Sequence, residues 1–227
     1  MRERYDDKLS QLQNELLDMG MLCEQAIMKT YQLLISGESR ESLIKEIDHL
    51  EKEVDGKEQM IEGICIQLLL RQQPVAGDLR RISAALKMIT DLERIGDQAV
   101  DIAEIIQTGS IDVPVEGLPI TRMAEQAMEM INKSIEAYVN KDLNLALAVI
   151  ELDDIVDELF QDVRRKLQEN SRGFSGDQAL DLLMIAKYYE RLADHATNIA
   201  EWVEFSLTGI HRSGKEVYDV FARRTEQ

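Results

Sequence analysis

Glu93, Asp97, Asp101 and Glu104 are spaced so that, on a helical wheel of about 100° per residue, they fall within about 80° of one another. Glu190, Asp194, Asn198 and Glu201 repeat the arrangement later in the chain. Upstream of the first set, Asp48, Glu51, Asp55, Glu58 and Glu62 line one helical face; upstream of the second, Asp153 and Asp157 do the same. A carboxylate row on one helix is ordinarily a solvated face. Here like charges at i, i+4 oppose one another, by a few tenths of a kcal/mol per pair, few basic residues lie within the row to compensate, and the pattern occurs twice. Stacked carboxylates on two facing helices supply what hard cations need, several oxygen ligands in one shell. Facing Glu/Asp-x-x-x-Asp pairs are therefore expected to be able to hold iron, zinc, manganese or magnesium in multinuclear sites.

Catalysis is not expected. A ferritin-like oxidase requires Glu-x-x-His on two helices, and the chain offers one such pair, Glu46 and His49, with His49 off the acidic row. His195 follows Asp194 but faces away from its row, and His211 lies near the end of the chain. No Gly-rich phosphate loop, Ser/His/Asp order or Cys/His metal spacing is present.

The elements that must carry these rows read as six long helices. Leu9, Leu12, Leu16, Met19, Cys23, Ile27 and Leu34 recur at three- and four-residue spacing and predict a helix over 4–36. A second is predicted over 40–71, with Ile47, Leu50, Val54, Ile61, Ile64 and Leu68 on one side. Pro74 suits the first turn of a third, which carries Leu79, Ile82, Leu86, Ile89, Ile95, Ile102 and Ile106. Gly109, Pro114, Gly117 and Pro119 mark a linker. Beyond it, helices are predicted over 120–140, 143–169 and from about Ser175 to Leu207, the last opened by a capping box of Ser175 and Gln178. Gly96 and Ala103 border the apolar face of the third helix and permit close approach. No segment alternates as a strand does. Polar-faced helices of about 45 Å need neighbours, so antiparallel bundling is the economical packing.

The two halves are copies. Glu93–Glu104 aligns without gaps on Glu190–Glu201, with seven of twelve positions identical. Glu51–Asp55 corresponds to Asp153–Asp157, and Glu24-Gln25-Ala26 to Glu125-Gln126-Ala127, each in the same helix of its half. The expectation is an all-α chain of two tandem antiparallel three-helix bundles related by a pseudo-two-fold: residues 1–110, a linker at 111–119, residues 120–209, and a polar tail at 210–227.

Composition agrees. Of 227 residues, 44% are hydrophobic and 30% charged, the profile of a folded domain, and the net charge of −17 disfavours nucleic acid and anionic lipid. Cys23 and Cys65 sit in helical patterns and read as free core thiols of a reducing compartment. Without a signal-like N-terminus or a run near the roughly 20 apolar residues of a span, the expected location is the cytoplasm, with no membrane insertion.

These stretches resemble the PhoU family of bacterial phosphate-transport regulators. The resemblance covers nearly the whole chain and is carried by Gln73-Pro-Val-Ala-Gly-Asp-Leu-Arg80, Asp91-Leu-Glu-Arg-Ile-Gly-Asp97, Glu190-Arg-Leu-Ala-Asp-His-Ala-Thr-Asn-Ile199 and Met19-Gly20. It implies a non-enzymatic negative regulator that links the ATPase subunit of a phosphate ABC transporter to a membrane sensor histidine kinase, restraining uptake and the starvation response when phosphate is plentiful. It also implies metal ligands at Glu51, Asp55, Glu93, Asp97 and Asp101 in one half and Asp153, Asp157, Glu190, Asp194 and Asn198 in the other. Glu51 stands where Asp is commoner in the family. A homodimer, peripheral to the inner membrane face through its partners, completes the expectation. The alternatives are a metal-binding or metal-buffering bundle and an accessory subunit of another phosphate permease.

Overall fold

A computed structural model describes residues 2–36, 40–71, 76–109, 111, 115, 117–169 and 173–210. Its helices are α1 (Arg2–Ile35), α2 (Arg40–Arg71), α3 (Ala76–Thr108), α4 (Ile120–Asn140), α5 (Leu143–Glu169) and α6 (Gly176–Thr208). The described residues contain no strand. Pro74, Pro114 and the tail from His211 lie outside the described residues.

Local chemistry sets several boundaries. The Ser175 hydroxyl accepts from the Gln178 amide while the Gln178 side chain accepts from the Ser175 amide, the reciprocal box expected from their spacing. Gly209 then closes α6 in a left-handed conformation (φ 79°) with its N–H on the Phe205 carbonyl. α4 ends differently. Lys141 takes the left-handed cap (φ 57°), a conformation that sequence alone assigns to glycine or asparagine.

α1–α3 form one antiparallel bundle and α4–α6 the other, joined through α1 against α4 and α3 against α6. The apolar rows of all six helices merge into a single core, so the halves are joined as one body. Gly20 makes the α1–α4 contact close: a Cβ there would lie 2.9 Å from Cγ1 of Ile135. Gly96 does the same between α3 and α2, where a Cβ would lie 3.3 Å from Cγ1 of Val54. A buried polar contact ties α1 to α6, with the Thr30 and Tyr189 hydroxyls 2.7 Å apart. Thr30 donates to the Ile27 carbonyl, so Tyr189 supplies the proton of the shared bond. Cys23 and Cys65 are free and buried; burial holds both thiols in the neutral form, Cys65 being pushed up to about 12.

α3 and α6 run antiparallel about a pseudo-two-fold near Gly96 and Ala193. Asp91, five residues before Gly96, meets Asn198, five residues after Ala193. Tyr188, five before Ala193, faces Asp101, five after Gly96. Arg80, sixteen before Gly96, packs beside Gly209, sixteen after Ala193.

Candidate functional site

The duplicated helices assemble two carboxylate clusters, one in each bundle. In the first, α2 brings Glu51, Asp55 and Glu58 against Glu93 and Asp97 of α3. All five are half-buried. Loss of hydration pushes Glu51, Glu58, Glu93 and Asp97 above the usual carboxylate range, and neighbouring negative charges add to it: Asp55 and Asp97 on Glu51, Asp55 and Glu62 on Glu58, Asp97 and Glu58 on Glu93, Asp55 and Asp101 on Asp97. These effects cross the helix–helix boundary, so the two acidic rows share one electrostatic site. Arg94 stands at its edge, 3.4 Å from Glu93 and 3.3 Å from Asp97, and offsets part of the repulsion.

In the second cluster α5 brings Asp153 and Asp157 toward Glu190 and Asp194 of α6. Partial burial pushes Asp194 up to about 6, with Glu190 and Asp153 adding to the rise and Lys187 opposing it. Burial also raises Asp153, reinforced by Asp157. Asp194 is nonetheless exposed at the surface of α6, so the crowding of its carboxyl by like charge matters alongside burial. Lys187 pairs with Glu190 and lies 5.4 Å from the centroid of the Phe160 ring. Phe160 occupies the position that Glu58 holds in the first half.

Of the ten residues singled out in the sequence, eight join these clusters. Asp101 and Asn198 do not. Asp101 still adds its charge to Asp97, but it faces the Tyr188 hydroxyl across the α3–α6 boundary, where burial raises that phenol and the Asp101 charge adds to the rise. Asn198 donates to Oδ1 of Asp91 at 3.2 Å, and Nδ1 of His195 lies 2.9 Å from the same oxygen. An ionised carboxylate only accepts, so that imidazole nitrogen carries the proton. Asp91 and Tyr188 escaped sequence reasoning because their partners lie about a hundred residues away; the one available signal was that the duplication aligns them with each other.

The donor chemistry of both clusters, oxygen from carboxylates, suits a hard cation. The arrangement does not form a coordination shell: among the described residues no three acidic, histidine or cysteine side chains gather into a group that can hold a metal ion. Arg94 and Lys187 supply part of the compensating charge instead. What the arrangement offers is two electronegative grooves on a chain of net charge −17. No helix among the described residues is long and apolar enough to cross a membrane.

Comparison with known proteins places this architecture. A family model described as the PhoU domain matches residues 16–106 and 120–203, once per bundle. A phosphate-specific transport system accessory protein PhoU homolog of Synechocystis sp. is 35% identical over 211 residues, covering 92% of this chain and 93% of its own. The similarly named protein of Zymomonas mobilis is 37% identical over 210 residues, covering 90% and 87%. Among solved structures, PhoU from Pseudomonas aeruginosa superposes with a TM-score of 0.80 at 29% identity, over 91% of this chain and 100% of that one. The phosphate transport system regulatory protein PhoU from Streptococcus pneumoniae gives 0.81 at 21% identity, over 91% and 98%, a likeness of fold.

Proposed function

This chain belongs to the PhoU family, and from that premise we propose that it is an accessory and regulatory protein of phosphate transport, working in the cytoplasm without catalysing a reaction. In this reading it is a homodimeric adaptor. When phosphate is plentiful it bridges the ATPase subunit of a phosphate ABC transporter and a membrane sensor histidine kinase, restrains uptake and holds the starvation response off. The observation that carries the reading is the pairing of a PhoU match in each half with an interhelical carboxylate cluster in each half. Two like-charged grooves on one body suit an adaptor. Each can meet a basic surface, and complementary charge supplies specificity and fast association.

The test is phosphatase output in phosphate-rich medium from cells with and without the gene. High output in the deletion strain alone is the expected result; unchanged output would overturn the regulatory reading.

Cation binding at the clusters is a separate proposal supported by their donor chemistry. Glu51, Asp55, Glu93 and Asp97, and in the other half Asp153, Asp157, Glu190 and Asp194, would supply the oxygens. Arg94 and Lys187 would have to release their carboxylates first. Elemental analysis of the purified protein tests it: metal in stoichiometric amount supports it, and none after incubation with iron, zinc, manganese or magnesium overturns it.

A further inference from the structure

The carboxylate groove between α2 and α3 changes character at one end. Leu79 lies eighteen residues before Asp97, about five turns, and so shares its face of α3. Ile66 lies eleven residues after Asp55, about three turns, and shares its face of α2. Leu70 follows Ile66 by one turn. All three are exposed, Ile66 and Leu79 at 45% and Leu70 at 80%, the highest figure of any large apolar side chain among the described residues. Inward from this apolar mouth the groove presents Glu62, then Glu58 with Glu93, then Asp55 with Asp97.

The end of α6 lies at the same level. Leu70 is sixteen residues after Val54, the α2 contact of Gly96, and Arg80 is sixteen before Gly96. A Cβ on Gly209 would lie 3.5 Å from Cδ of Arg80, so the chain leaves α6 beside the mouth. The duplication supplies a control. In the second half the positions of Ile66 and Leu79 are held by Gln168 and Gly176, so the α5–α6 groove has no such mouth.

The segment that follows α6, residues 211–227, carries the matching order. Val217, Tyr218, Val220 and Phe221 come first, then Arg223 and Arg224. Its four basic residues, Arg212, Lys215, Arg223 and Arg224, outnumber Glu216, Asp219 and Glu226, on a chain whose net charge is −17. Its reach suffices. Val217 is eight residues past Gly209, up to roughly 26 Å of chain, against a helix diameter of about 10–12 Å to cross. Arg223 is fourteen past Gly209, up to roughly 46 Å, whereas Glu93 lies thirteen residues along α3 from Arg80, about 20 Å.

We infer that residues 211–227 fold back over the α2–α3 groove of their own chain, with Val217–Phe221 on Ile66, Leu70 and Leu79 and with Arg223 and Arg224 toward Glu62 and Glu58. Three observations select this occupant. The segment starts at the mouth, its apolar and basic residues come in the groove's own order, and its tether gives it an effective concentration that a separate chain of like charge lacks. Burial of the apolar side chains drives the contact, and opposite charge fixes its register. Where the acidic clusters dock basic partners, the segment competes with them at the first cluster and not at the second. That consequence rests on the reading proposed above; the contact itself does not.

Hydrogen–deuterium exchange of the full chain, read by mass spectrometry on peptides from 211–227, tests it. The variants are Leu70→Gln in the mouth, Phe221→Ser in the segment and Gln168→Ala at the matching place in the second half; circular dichroism checks that each keeps its helices. In the wild type, amides of 217–224 are expected to exchange at least about ten-fold more slowly than unprotected ones. Leu70→Gln and Phe221→Ser are each expected to remove that protection, and Gln168→Ala and dilution of the protein to leave it unchanged. No protection in the wild type, or protection that survives in folded Leu70→Gln, overturns the inference. Protection lost on dilution seats the segment on a second copy and overturns the intrachain contact. Phosphatase output from the deletion strain tests the regulatory reading separately, so the two fail independently.

Discussion

The two carboxylate clusters descend from one template and have diverged in how they manage the same repulsion. In the first, five carboxylates share the α2–α3 groove and Arg94 lies within 3.4 Å of two of them. In the second, Phe160 replaces the fifth carboxylate, and the compensating cation is Lys187, which pairs with Glu190 and lies over the Phe160 ring. Asp194 is left as the most perturbed acid, pushed up to about 6, while Asp97, its counterpart, is raised against the partial relief of Arg94. A repeated motif thus fixes where charge accumulates, and the unrepeated residues around it fix how far each copy is neutralised.

The largest contrast between the halves in stability lies behind the clusters. Tyr189 and Leu92 are counterparts. The Tyr189 hydroxyl meets Thr30 inside the core, whereas Leu92 offers only its carbonyl, which accepts a weak bond from Cys23 at 3.3 Å. Thr30→Val strands the buried Tyr189 hydroxyl and is expected to cost about 1–3 kcal/mol. Tyr189→Phe, leaving Thr30 its bond to Ile27, is expected to cost less. Chemical denaturation reads both, and equal losses would break the distinction.

Next in size is the response to pH. Asp194 has a folded value near 6 against an ordinary 3.8, so the folded state binds the extra proton. Stability is gained as pH falls through about 6 and is lost as pH rises through it. Asp194→Asn is expected to raise the thermal midpoint at neutral pH, with the advantage shrinking as pH approaches 4. Asp97→Asn is expected to help less, because it also removes the partner of Arg94. A larger gain from Asp97→Asn would reverse the ranking of the clusters.

The smallest effect is that of Arg94→Ala. Its side chain is 56% exposed, so the change is expected to lower stability by less than about 1 kcal/mol and to vanish in high salt. A salt-independent loss would show that Arg94 acts through packing.

The helices and the duplication were legible in the sequence because both are local signals: the apolar period of Leu12, Leu16, Met19 and Cys23, the Ser175–Gln178 box, and the repeated Glu-Arg stretches. The clusters were legible row by row, since i, i+4 acids share a face whatever surrounds them. Two residues of the rows, Asp101 and Asn198, also have partners that a wheel does not show. A wheel places Asp101 and Asn198 beside their rows but does not say where the neighbouring helix lies, and the α3–α6 crossing turns both toward the other half, to Tyr188 and Asp91. His195 was correctly set off its row, yet its role against Asp91 depends on a residue in the other bundle. Lys141 carries no turn signal, yet its backbone closes α4 in the left-handed conformation, with cap N–H groups on the Ala137 and Tyr138 carbonyls.

The central claim is that the paired acidic clusters are docking surfaces. It is tested most directly by measuring the affinity of the purified protein for the transporter ATPase and for the cytoplasmic part of the kinase, in wild type and in Asp97→Lys, Asp194→Lys and the double variant. The account predicts weaker binding for each single change and a loss of at least about ten-fold for the double, with the wild-type affinity falling as salt is raised. Undiminished binding of the folded double variant to both partners would contradict it.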